Sequence, residues 1–392
     1  MTGTPALSEA LAAKDELVGR LRQSKYVDLL DDYGIEFRPG HARLTGPHSV
    51  EVDGDPVTAG AILLATGARP AVPPIPGLEA TGFLTSTEAL DLNHAPPRLA
   101  VIGAGPVGLE LGQMLGNFGS QVTFIARRDI APRAEPEVAA GLREVLEAAG
   151  HRVLAPGITT DASVDEGDKV LRGHTDGEPF ELRVDEILVA TGRTPNTEAL
   201  GLEEAGVELD DSGAIVVDAE QRTSMFPIYA AGDVTNQPRF VYVAAAAGAA
   251  AAQNALAGGD QQLDSAALPQ VVFTSPAIAQ AGITEAEARE HGIDVETSVL
   301  PLEAVPRALV KGDTRGLFKL IAEAGSGRLL GASILAEGAP EVIQSAVLAI
   351  AHGLTVDELA RTWAPYLTMA EGLKLAAQTF KRDVSKLSCC AA

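Results

Sequence analysis

Val101-Ile-Gly-Ala-Gly-Pro-Val-Gly-Leu-Glu110 is the stretch that decides the fold. It places Gly-x-Gly-x-x-Gly at Gly103, Gly105 and Gly108, straight after the apolar run Leu99–Ile102 and straight before a helical pattern that reaches about Phe118. Strand, glycine turn, helix is the context a dinucleotide site requires. Gly103 permits the tight turn, Gly105 lets backbone approach a pyrophosphate, and Gly108 lets the helix pack on the strand. The helix N-terminus then offers its N–H groups and dipole to the phosphates. Ala104, Pro106 and Val107 fill the turn, Glu110 follows it, and Pro106 suits a first helical position. The competing reading is a glycine-rich turn without a ligand.

Downstream, Gln121–Ile125 reads as a second strand and Val138–Ala149 as a second helix, ended by Gly150. Strand–helix alternation of this kind predicts an α/β fold around a parallel sheet. Nucleotide choice is read where the second strand ends, at Phe124-Ile-Ala-Arg-Arg-Asp129. Arg127 and Arg128 can pair with a 2′-phosphate and so favour NADPH, whereas Asp129 keeps NADH open. Two solvated arginines are the plainer alternative.

Glu186-Ile-Leu-Val-Ala-Thr-Gly192 repeats the pattern of Ile62-Leu-Leu-Ala-Thr-Gly67, which suggests a duplicated architecture. Ile228-Tyr-Ala-Ala-Gly-Asp233 is a further apolar strand ending in small residues and a carboxylate. Asp233 there can accept hydrogen bonds from a cofactor's sugar hydroxyls or cap a helix. Leu7–Leu30 reads helical up to Gly34, Pro70–Gly77 as a crossing loop, Phe240–Ala252 as a buried alanine-rich helix, and Thr284–Glu287 as a capping box. From about Leu268 the glycine fingerprints cease.

The 392 residues carry a formal net charge of −23, so acidic a surface that nucleic acid is not expected as a partner. The N-terminus lacks the basic head and apolar run of a signal peptide, and no stretch is apolar enough to span a bilayer, so a cytoplasmic protein with no membrane partner is expected. The two cysteines, Cys389 and Cys390, are adjacent. Neighbouring Cα atoms lie about 3.8 Å apart, closer than the roughly 4.4–6.8 Å a disulfide prefers, so a free dithiol is the natural state. Such a pair suits a soft, thiophilic metal ion; the alternative is an accidental pair at a chain end.

Two Ala-Thr-Gly strands, a central Gly-x-Gly-x-x-Gly and the Ala-Gly-Asp233 turn, in that order, resemble the pyridine nucleotide-disulfide oxidoreductases along nearly the whole chain. Within that family the resemblance is to the mercuric reductase branch. Most members carry His-Pro-Thr-x-x-Glu near the C-terminus. Here the stretch is Pro365-Tyr-Leu-Thr-Met-Ala-Glu371, with Tyr366 where the histidine would be and Thr368 and Glu371 retained. That branch makes the same replacement and ends in Leu-Ser-Cys-Cys, as at Leu387–Cys390. The run Tyr366–Phe380 and the segment Gln237–Val243 are similar to it as well.

The resemblance implies two Rossmann-like dinucleotide-binding domains, the FAD one N-terminally incomplete, and an α+β C-terminal dimerisation domain. The implied spans are 1–96 and 197–267 for FAD, 97–196 for NADPH, 268–382 for dimerisation and 383–392 for the Cys-Cys tail. It implies FAD contacts at Ala42, Thr66, Gly67, Asp233 and Val241. Gly103–Gly108, Glu110, Arg127, Arg128 and Gly192 would serve cofactor binding. Tyr366, Glu371, Cys389 and Cys390 would be catalytic, with the two cysteines capturing Hg(II) and passing it to the partner subunit's site in a homodimer. The implied reaction carries electrons from NADPH through FAD to thiol-bound Hg(II), giving Hg(0).

Two family elements are not found: no first Gly-x-Gly-x-x-Gly, for the ADP half of FAD, stands before Gly103, and no cysteine, hence no Cys-x-x-x-x-Cys redox pair, before Cys389. The expectation here is a truncated gene product or a mis-called start, the alternative a short protein that has lost the chemistry. The rival functions are a dihydrolipoamide dehydrogenase-like enzyme, which the Tyr366 replacement disfavours, and a non-catalytic NADPH-binding dimer whose tail sequesters soft metal.

Overall fold

The computed structural model describes residues 6–383, which fall into two compact units. Among the described residues, one comprises 6–7, 72–191 and 265–383; the other comprises 8–71 and 192–264.

The first unit holds a four-stranded, wholly parallel sheet in the order Glu186–Val189, Arg98–Ile102, Gln121–Ile125, Arg152–Leu154. Its central strand, Leu99-Ala-Val-Ile102, is buried along its length, as a strand covered on both faces must be. Helices Pro106–Asn117 and Pro136–Ala148 both begin with proline at the first helical turn, where its missing N–H costs nothing. Leu109 and Leu115 of the first and Leu142 and Leu146 of the second are fully buried. Truncating one of these leucines to alanine leaves a cavity worth about 2–5 kcal/mol.

An antiparallel three-stranded layer follows, Gly157–Asp165, Asp168–Thr175 and Glu178–Val184. Its two turns, Glu166-Gly167 and Asp176-Gly177, have positive φ at all four residues, the backbone that lets a two-residue hairpin keep the strands' twist. The residues from Gln270 build a five-stranded antiparallel sheet in the order Gln270–Val272, Ala277–Gly282, Leu329–Ala336, Leu317–Glu323, Val295–Pro301. Helices Ala339–Ala351 and Glu371–Gln378 share its core, with Phe318, Leu320, Ile334, Ile343 and Ala346 buried. Thr284 caps helix Glu285–Glu290 with a reciprocal Glu287 bond, as its sequence pattern predicts.

In the second unit, helix Leu7–Arg22 continues through a π turn, Gln23–Val27, to Asp32, and the chain turns at Gly34. The apolar runs Ile62–Leu64 and Ile228–Ala230 pair as parallel strands. The segments just beyond the two Ala-Thr-Gly turns, Ala68–Pro70 and Arg193–Pro195, pair antiparallel. The repeated strands themselves lie in different sheets, and it is the segments after them that pair. Helix Val241–Ala257 is the alanine-rich element, buried at Ala247, Ala250 and Ala251.

Candidate functional site: a glycine turn and an aspartate-lined cleft

At the glycine turn the three glycines do different jobs. Gly103 has φ +105°, and a Cβ there would stand 2.3 Å from the Ala190 carbonyl oxygen. A Cβ on Gly108 would stand 2.0 Å from the Gly103 carbonyl oxygen. Both are dictated by packing of strand, turn and helix. Around Gly105 nothing lies within 4 Å of where a Cβ would be. No protein contact calls for a glycine there, whereas a ligand approaching the backbone would. Gly105 is also the N-cap of helix Pro106–Asn117 and supplies no side-chain cap, so first-turn N–H groups face outward without an intrahelical partner. Ala104 lies beneath the turn, its carbonyl accepting the Ala131 N–H at 2.9 Å, and Val107 is partly exposed beside it. Glu110 accepts the Phe273 N–H at 2.8 Å, and burial pushes its carboxyl pKa up against that bond.

Where the second strand ends, Arg127 and Arg128 are exposed and carry no side-chain partner among the described residues. Asp129 behaves differently: its Oδ1 accepts the Ile130 N–H at 2.7 Å and the Arg143 guanidinium at 2.6 Å.

In the other unit a cleft of about 370 Å³ is lined by Leu63, Thr66, Gly67, Arg193, Gly232 and Asp233, with Ala244 and Gly248 of the alanine-rich helix. Gly67 and Gly232 have φ +68° and +80°, and no atom lies within 4 Å of a Cβ built on Gly67 or Gly248. Asp233 does not cap the long helix, whose N-cap is Phe240; it faces the cleft and meets Arg193 Nε at 3.2 Å. That buried Nε makes no hydrogen bond of good geometry. A carboxylate, an under-satisfied guanidinium nitrogen and glycine walls suit a polyhydroxylated ligand, so these residues fit the sugar-alcohol part of a flavin nucleotide.

Asn196 clasps the first Ala-Thr-Gly turn, receiving the Thr66 hydroxyl on its carbonyl at 2.8 Å and donating its side-chain amide to the Thr66 carbonyl at 2.9 Å. Gly192, φ +130°, accepts the Ala71 N–H at its carbonyl. Ala42 on strand Ala42–Gly46 and Val241, 86% exposed, do not line the cleft. Arg193 and Asn196 belong to no motif recognisable in the sequence. Their signal was position, since both follow Ala-Thr-Gly192 directly, in Arg-Thr-Pro-Asn.

Near the C-terminus, Leu367 has φ +59° and lines a pocket with Thr368, Met369, Arg307, Glu337 and Gly338. Thr368 donates its hydroxyl to the Pro365 carbonyl at 2.8 Å, and its own carbonyl accepts the Glu371 N–H. Glu371, at the start of helix Glu371–Gln378, is 9% exposed and its Oε2 has no partner among the described residues. Tyr366, across the turn, is half exposed. Cys389 and Cys390 lie outside the described residues.

A parallel sheet carrying a dinucleotide turn in one unit and, in the other, a cleft lined by the Ala65-Thr66-Gly67 and Ala231-Gly232-Asp233 turns define a nucleotide-dependent oxidoreductase. Residues 2–248 match the pyridine nucleotide-disulphide oxidoreductase family and residues 268–377 match its dimerisation domain. The chain belongs to the pyridine nucleotide-disulphide oxidoreductase family, whose members use FAD and NADPH.

Curated relatives are named mercuric reductase. The Staphylococcus aureus protein is 46% identical over 100% of this chain and 72% of its own length. The Bacillus cereus protein is 47% identical over 98% and 61%, and the Streptomyces lividans protein 50% identical over 99% and 82%. The HOCl-induced flavoprotein disulfide reductase RclA of Escherichia coli has a similar structure, with a TM-score of 0.86, 32% identity, and coverage of 96% of this chain and 87% of that one. Among the described residues no helix is long and apolar enough to cross a membrane.

Proposed function

We propose that the protein is an NADPH-dependent, flavin-containing mercuric reductase acting in the cytoplasm as a homodimer, with Hg(II) as substrate. Residues 97–196 serve as the NADPH domain, 1–96 and 197–267 as the FAD domain, 268–382 as the dimerisation domain and 383–392 as a metal-capturing tail. The observation that carries the reading is Tyr366 ahead of the buried Glu371. A histidine there would provide acid/base service to disulfide substrates near neutral pH; a tyrosine, with an ordinary pKa of about 10, does not.

The residues divide the work as follows. Gly105 and the first turn of its helix hold the nucleotide pyrophosphate against bare N–H groups, while Arg127 and Arg128 pair with the 2′-phosphate. Asp233, Thr66 and Gly67 hold the flavin's sugar-alcohol hydroxyls. FAD, when bound, supplies the two-electron relay between nicotinamide and metal. Cys389 and Cys390, as thiolates, capture Hg(II), and Tyr366 lines its path. The sum is balanced: NADPH and Hg(II) yield NADP⁺, H⁺ and Hg(0).

The test is NADPH oxidation by the purified chain with Hg(II) in excess thiol, together with trapping of Hg(0) vapour. Hg(II)-dependent turnover that falls in C389A/C390A supports the enzyme. Tight Hg(II) binding without turnover would replace it with the sequestering, non-catalytic dimer.

A further inference from the structure

We propose that Arg143 is a specificity-determining residue: by holding Asp129 in an ion pair, it makes the glycine-turn site select NADPH over NADH. This rests on the reading of Gly103–Gly108 as a nicotinamide-nucleotide site. The loop that follows strand Gln121–Ile125 carries two cations and one anion, Arg127, Arg128 and Asp129. A carboxylate there would accept hydrogen bonds from the ribose diol of NADH and repel the dianionic 2′-phosphate of NADPH.

In the structure one oxygen of that carboxylate is paired, while the Asp129 side chain stays 56% exposed. Asp129 Oδ1 accepts from the Ile130 N–H at 2.7 Å and from Arg143 Nη2 at 2.6 Å. The same Nη2 donates to the Ala155 carbonyl at 3.1 Å, and Nη1 lies 4.0 Å from Glu147, one turn along the helix. Arg143 is thus tied to two segments outside its own helix and only 25% exposed at its side chain, which holds its charge in place next to Asp129. Arg143 offsets the charge of Asp129, so Arg127 and Arg128 are not compensated by it. They are exposed and uncommitted among the described residues, free to take up a phosphate.

The experiment measures dissociation constants of the purified 392-residue protein for NADPH and NADH by calorimetry, a readout independent of turnover. R143M should narrow the NADPH preference about tenfold, the worth of one charge-assisted hydrogen bond gained by NADH or lost by NADPH. D129N in the R143M background should restore the preference. R143K, which keeps the charge but loses the fork, should fall between wild type and R143M and serves if R143M folds poorly. An unchanged ratio in a folded R143M or R143K overturns the role of Arg143. A wild-type protein that binds neither nucleotide, or prefers NADH, overturns the nucleotide reading beneath it.

Discussion

Lys319 Nζ lies 2.8 Å from Glu135 Oε2, and both side chains are shut off from water, at 2% and 1% exposure. The ammonium also contacts Glu137 at 2.9 Å and Glu285 at 2.7 Å. It thereby joins strand Leu317–Glu323 to the segment that opens helix Pro136–Ala148 and to helix Glu285–Glu290. Burial alone would lower the lysine's pKa; the three carboxylates more than offset it and the pKa stands raised.

Lys319→Met should be strongly destabilising. It leaves Glu135 buried without its partner, and breaking a buried pair from one side costs about 3–5 kcal/mol. A urea titration of the variant checks this. A midpoint equal to wild type would mean that water or a side-chain shift satisfies Glu135.

Acid should weaken the same unit. Lys319 holds the Glu285 carboxyl below the usual carboxylate range, and Arg98 does the same for Asp185, in both cases against burial. A depressed folded-state pKa gives stability that is present above the unfolded value and lost as pH falls through the folded one. Urea midpoints should therefore drop as pH is lowered from about 5 to about 2.5. In Lys319→Met the Glu285 contribution shrinks to what Arg289 supplies, and the slope should be shallower.

The fingerprint glycines should separate on mutation. Gly108→Ala forces a methyl to within 2.0 Å of the Gly103 carbonyl oxygen, so the helix must shift and the melting temperature should fall. Gly105→Ala meets open space at φ −79°, an ordinary angle for alanine. It should melt like wild type yet bind NADPH more weakly, by about tenfold or more, because the methyl blocks the phosphates' approach. Calorimetric binding and thermal melts of the two variants decide between a ligand-dictated and a packing-dictated Gly105.

Asp233→Asn keeps the size and removes the charge. If the carboxylate receives a flavin hydroxyl, FAD retention should fall by about ten- to hundredfold, the range of a hydrogen bond to a charged group. Flavin absorbance after dialysis is the readout. Full retention would assign Asp233 to its ion pair with Arg193 alone.

What the sequence determined by itself is what lies close along the chain. The strand–glycine turn–helix at Leu99–Phe118, the capping box at Thr284 and the turn at Gly34 follow from φ preferences, caps and apolar period within a few residues. The hairpins at Glu166-Gly167 and Asp176-Gly177 are equally local, written in turn dipeptides, but their flanking strands are too polar to stand out in the sequence. Tertiary structure alone decided which of the charged residues are spoken for. Asp129 and Arg127 are two positions apart in sequence, yet only Asp129 is paired, by Arg143 from the next helix. Lys319 and Glu135 are 184 residues apart, and Arg193 meets Asp233 across a cleft formed from two distant strand ends. Charge pairing depends on distance in space and on exclusion of water, and neither is encoded in the spacing of residues along a chain.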